Sequence, residues 1–194
     1  MIYIDDNPGA VNIDVALETV SRQRREHAMR YLNDNDRRLS LSAYMLLQRA
    51  LLEEYDIEEP PVFGFSDEGK PFLKDYPDIH FSLSHCREAA SCVVERKAVG
   101  IDIESLSSFS PDLLDVCMNE EERHEIIASD NPALTFMGYW TMKESFLKLT
   151  GRGLSDDMKN VLSQVSHHRF ETYENLQAGY VYTVCSEYFA DKRQ

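Results

Sequence analysis

Three short strand-like runs follow one another closely: IHFSLS at 79–84, ASCVVE at 90–95 and AVGIDIE at 98–104. Short turn-like segments separate them, so they predict an antiparallel meander, and any fold for this chain must contain a sheet. The last run carries an unusual feature. Asp102 and Glu104 are separated by Ile103 and preceded by Val99 and Ile101. On a strand, residues two apart share a face, so the two carboxylates project together. Side by side they repel, and burial raises the cost of ionising both. Either this face is wet, or a hard divalent cation with oxygen ligands relieves the repulsion.

Helical periodicity surrounds these runs. Leu39, Ala43, Leu46, Leu47, Ala50 and Leu51 recur at three- and four-residue spacing and predict a helix over 35–55, with another over 19–33. Pro60, Pro61, Gly64, Gly69, Pro71 and Pro77 then mark a connection in which no regular structure is expected. Helical segments return at 111–129. Asn131-Pro132 opens a further helix that Gly151 ends. The segments 161–172 and 179–188 read as strands. Helices precede strands twice over, so the predicted class is α+β. The expected arrangement is a pseudo-twofold pair of similar halves, 1–97 and 98–194, each a small, mostly antiparallel sheet packed with helices.

The 194 residues suffice for a sizeable core, and 43% are apolar. A formal net charge of -14 argues against nucleic acid or an anionic membrane as partner. Cys86, Cys92, Cys117 and Cys185 lack zinc-ligand spacing and read as reduced core thiols. No signal peptide or membrane-spanning run is visible, so a soluble cytoplasmic protein is expected. Against the acidic background, residues 21–38 hold six arginines, Arg22, Arg24, Arg25, Arg30, Arg37 and Arg38. These form either a solvated helix face or an anion site, for which the planar guanidinium fork is suited.

Two further constellations stand out. In WTMKESFLKLTGRGL, 140–154, Glu144 and Lys148 lie one helical turn apart, with Trp140 a turn earlier. They form an ordinary surface ion pair or part of a site, and the Gly-Arg-Gly after them reads as a helix C-cap and turn. In FSLSHC, 81–86, Ser84 and His85 end a strand, with GKP at 69–71 before it. Ser-His adjacency is not a hydrolase triad, and no G-x-S-x-G elbow, Walker loop or GxGxxG occurs.

In order, GKP, F-S-L-S-H, G-I-D-I-E and W-x-x-K-E-x-x-x-K-x-x-G-x-G-L resemble the 4'-phosphopantetheinyl transferases, specifically the monomeric type that activates surfactin synthetase and related peptide and polyketide synthetases. The resemblance implies holo-[acyl-carrier-protein] synthase activity. The 4'-phosphopantetheine arm of coenzyme A passes to a serine of an apo carrier protein, and adenosine 3',5'-bisphosphate leaves. It implies Mg²⁺ on Asp102, Glu104 and Glu144, with Glu144 as base and Lys148 against the diphosphate. It also implies coenzyme A contacts from Lys70, Ser84 and His85, with Arg37 and Arg38 for the 3'-phosphate. The N-terminal half would bind coenzyme A and the C-terminal half would carry the magnesium and catalytic motifs of a monomer.

The family more often reads F-N-x-S-H-S, and here Ser82 and Cys86 replace the Asn and the second Ser. Carrier docking would need a local patch, either around Cys117 and Met118 or at TFMGYW, 135–140; the same residues also read as core. Two other classes compete: a non-catalytic coenzyme A or carrier-binding module, and a different magnesium-dependent phosphoryl-transfer enzyme or phosphodiesterase.

Overall fold

The computed structural model describes residues 1–106, 111–153 and 157–187. Strand β1 (Ile2–Asp5) leads into helices α1 (Ile13–Thr19), α2 (Arg22–Ala28) and α3 (Asp34–Tyr55). Strands β2 (Phe63–Phe65), β3 (Pro71–Leu73), β4 (His80–His85), β5 (Ala90–Glu95) and β6 (Val99–Ser105) follow. Helices α4 (Pro111–Cys117), α5 (Glu120–Ala128) and α6 (Pro132–Thr150) come next, and β7 (His168–Asn175) and β8 (Tyr180–Glu187) complete the described chain. The architecture is α+β, as the element order predicts.

Local chemistry accounts for the helix boundaries. Of the helix expected over 19–33 only Arg22–Ala28 forms, as α2, because α1 has ended at Thr19 and the Ser21 hydroxyl accepts from Arg24 N and starts α2 afresh after Val20. Helix α3 buries the predicted stripe and stops at Asp56, which takes the left-handed conformation with φ 58°. Helix α6 opens under the Asn131 cap and closes at Gly151, φ 78°.

The meander is only half formed. Strands β4 and β5 pair antiparallel, Phe81 opposite Val94. The other edge of β5 is taken by β1, Ile2 opposite Val93, giving the order β1-β5-β4. Strand β6 therefore leaves that sheet and pairs with β8, Asp102 opposite Thr183, in the order β6-β8-β7. The expected strand at 161–172 begins as a 3-10 turn, Met158–Gln164, and β7 starts only at His168. Strand β8 fills the expected 179–188 segment through Glu187; Tyr188 lies outside the described residues. Strands β2 and β3 form a small hairpin within the connection predicted to lack regular structure. Pro71 is tolerated there because a two-stranded sheet leaves one edge of each strand unpaired.

The two three-stranded sheets meet at β4 and β6 through side chains. Ser82 Oγ accepts from Ile101 N at 3.1 Å and Ser84 Oγ from Ile103 N at 3.3 Å. Serine, with a short hydroxyl, closes this seam where a backbone ladder does not. One core lies between α3 and the first sheet, and a second beneath α6 on the β6-β8-β7 sheet. Cys117, Met118, Phe136 and Met137 belong to the second core, at most 8% exposed, whereas Val116 is 67% exposed and Thr135, Gly138, Tyr139 and Trp140 are half-buried, so each candidate docking patch is only partly core. All four cysteines are buried free thiols. Among the described residues no helix is long and apolar enough to cross a membrane.

Candidate active site

The seam opens into a cleft of about 720 Å³ lined from both sides. Strand β4 supplies Ser84 and His85, the β2–β3 turn supplies Lys70, and α2 supplies Arg24. Strand β6 supplies Asp102 and Glu104, and α6 supplies Trp140, Glu144 and Lys148.

At its floor, Asp102 is 3% exposed. Its Oδ1 accepts from Lys148 Nζ at 2.6 Å and from the Ser84 hydroxyl at 2.9 Å, while Lys148 also donates to Ser84 Oγ at 2.7 Å. Trp140 Nε1 donates to Glu104 Oε1 at 3.3 Å. Asp102 Oδ2 and Glu144 Oε1 are buried without a hydrogen-bond partner. Burial first, and the Asp102 carboxylate second, push the Glu104 carboxyl up to about 7 and raise that of Glu144. The arrangement is an excess of buried negative charge that one lysine only partly offsets.

A model of the 4'-phosphopantetheinyl transferase superfamily matches residues 98–192. A 4'-phosphopantetheinyl transferase of Bacillus subtilis is 32% identical over 157 residues, covering 79% of this chain and 70% of the relative. The transferase Sfp of Bacillus subtilis strain 168 is 29% identical over the same shares, and ffp of Bacillus subtilis 26% over 95% and 90%. The chain belongs to the 4'-phosphopantetheinyl transferase superfamily. Its relatives place this phosphopantetheinyl transferase with the surfactin-synthetase-activating type.

Within this transferase, the structure brings Lys70, Ser84, His85, Asp102, Glu104, Glu144 and Lys148 to one cleft. Lys70 also caps α6: its Nζ donates to Leu149 O at 2.6 Å, and burial lowers its pKa. Arg37 and Arg38 are not among the lining residues. Arg37 donates to Asp34 at 2.6 Å and to Tyr31 O at 2.9 Å, and Arg38 to Val11 O at 3.2 Å. The arginine of this segment that does line the cleft is Arg24, which periodicity could not single out because α2 starts at a new phase after Ser21. It lies over the Tyr44 ring, donates to Ser40 Oγ at 2.7 Å and keeps its Nε buried without a partner. Leu154, the last residue of the W-x-x-K-E motif segment, lies outside the described residues.

The donor set suits a hard divalent cation: Asp102, Glu104 and Glu144 all face the cleft, and Asp102 and Glu144 each keep an unpartnered buried oxygen. Among the described residues, however, no group of three or more His, Cys, Asp or Glu side chains is gathered closely enough to hold an ion as it stands.

The raised Glu104 carboxyl carries a pH signature. The folded protein keeps this proton up to about pH 7, whereas the unfolded chain releases it near the ordinary glutamate value of 4.5. The folded state thus binds more protons in that window, and this residue's contribution to stability falls as pH rises through it. Glu104→Gln is expected to raise the melting temperature at roughly pH 8 in metal-free buffer and to change it little at roughly pH 5. Equal melting of both proteins at the higher pH would show that Glu104 ionises there without cost.

Proposed function

We propose that the cleft binds coenzyme A and passes its 4'-phosphopantetheine arm to a serine of an apo carrier protein. The supporting observation is the convergence of Asp102, Glu104, Glu144 and Lys148 with Ser84 across the seam. The serine oxygen forms a bond to the β-phosphorus, the bridging bond to the α-phosphate breaks, and adenosine 3',5'-bisphosphate leaves. The Glu144 carboxylate takes the serine proton, a role suited to a carboxyl whose pKa burial raises above the ordinary range. Lys148 sits against the diphosphate and offsets charge on the departing 5'-phosphate, and Ser84 orients Asp102 and Lys148. Mg²⁺ held by Asp102, Glu104 and Glu144 would supply neutralisation of the acids and the diphosphate.

In this reading the halves 1–97 and 98–194 are related by a pseudo-twofold axis and act as a monomer, because one chain supplies both walls of the cleft. Incubation with coenzyme A, Mg²⁺ and a panel of apo acyl, peptidyl and polyketide carriers tests it. The expected result is a mass gain of one phosphopantetheine arm on a carrier. Coenzyme A binding with no mass gain on any carrier would leave a binding module instead.

Arg24, in place of Arg37 and Arg38, is assigned to the 3'-phosphate. Arg24→Gln should weaken coenzyme A binding by roughly tenfold, as loss of a charge-assisted hydrogen bond does. Binding of 3'-dephospho-coenzyme A should hardly change. Equal losses for both ligands would move the contact elsewhere.

A further inference from the structure

Lys143 is 0% exposed and plays no direct part in the chemistry above. Its Nζ donates to Cys117 O at 2.7 Å, Glu122 Oε2 at 2.6 Å and Met158 O at 2.9 Å. An ammonium has three N–H donors, and here each has an acceptor. The acceptors come from three segments: the end of α4, the first turn of α5 and the turn after α6. Glu122 Oε2 also accepts from Asn119 N at 2.9 Å in the capping box that starts α5. One buried cation thus ties α6 to everything packed on its outer side.

On its inner side α6 is seated directly on β6. A Cβ on Gly100 would lie 1.9 Å from Ser145 O. The residues on either side of Glu144 are therefore both anchored, Lys143 by its ammonium and Ser145 by its backbone. Burying an ion pair seldom improves stability over apolar side chains of the same volume, whereas it does restrict geometry. An apolar side chain could fill the Lys143 site but would let α6 slide or rotate, since it makes no directional bonds.

We propose that Lys143 is a positioning residue that sets the rotation and register of α6 and so aims the Glu144 carboxylate into the cleft. This rests on Glu144 acting there as the base. A displacement near 1 Å is enough to lower turnover by roughly a hundredfold.

The test is the double variant Lys143→Met with Glu122→Gln, which leaves neither charge buried alone. It should show kcat reduced by roughly tenfold to a hundredfold. A second readout is the indole of Trp140, the sole tryptophan in the chain, one turn before Glu144 and bonded to Glu104. Its ¹H–¹⁵N signal should shift in the unliganded variant. A cooperatively folded double variant with wild-type kcat and an unmoved indole signal would overturn the proposal and leave Lys143 a stabilising residue only. Should the double variant not fold, Glu122→Gln alone keeps the ammonium and its two carbonyl acceptors, and the same two readouts then decide. Glu144→Gln, assayed alongside, separates the two levels. Full turnover in that variant defeats the assignment of Glu144 as base, whatever the Lys143 result.

Discussion

An Asp102→Asn variant is expected to lose carrier modification by roughly a hundredfold or more while remaining folded. Asp102 is buried, Lys148 and Ser84 share its Oδ1, and its Oδ2 has no partner. Asparagine fills the same volume and can still accept from Ser84, so the seam between β4 and β6 survives. What disappears is the charge that holds Lys148 and that would help hold the divalent ion. The fold is cushioned in a second way. The Asp102 carboxylate is a cause of the raised Glu104 and Glu144 carboxyls, so its neutralisation relieves both. The Lys148 ammonium left behind is 30% exposed and still donates to Ser84, so it is not stranded as a buried charge. Intact-mass assay of an apo carrier, together with a thermal melt, checks the claim. Full activity in Mg²⁺ would remove Asp102 from the chemistry, and an unfolded variant would make it structural.

Gly100→Ala should act through packing and damage both stability and activity. The added Cβ would lie 1.9 Å from Ser145 O and 2.7 Å from Leu149 N, far inside van der Waals contact. Both are backbone atoms of α6, so neither can rotate aside; strand and helix must separate. Overpacking of this kind costs about 3 kcal/mol. For a chain of this size that lowers the melting temperature by roughly 6–12 °C. Transfer should fall as well at temperatures where the variant is still folded. The separation moves Glu144 and Lys148 on α6 away from Asp102 and Glu104 on β6. A variant melting and turning over like the wild type would mean that α6 sits farther from β6 than the structure shows.

Some of this was legible from residue order alone. The periodic leucines and alanines mark α3, and Asn131-Pro132 and Gly151 bracket α6, because caps and periodicity act within a few residues. The alternation of Asp102 and Glu104, and the one-turn spacing of Glu144 and Lys148, follow from strand and helix geometry. Residue order could not show that the two pairs meet, which depends on α6 lying on β6 at Gly100. Nor does it reveal β1, four residues long, whose partner Val93 lies far along the chain from Ile2. With β5 paired to β1, β6 is free to join β8, which turns a simple meander into two sheets and creates the cleft.

The choice among similar residues was likewise tertiary. Arg24 lines the cleft while Arg37 and Arg38 bond elsewhere, and Lys143 is sealed beneath α5 while Lys148, five residues on and on another face of α6, reaches Asp102. Local rules specify which side chains share an element face. Which face meets which neighbour is set by burial and hydrogen bonding between segments distant in the chain, and only the folded structure contains those pairings.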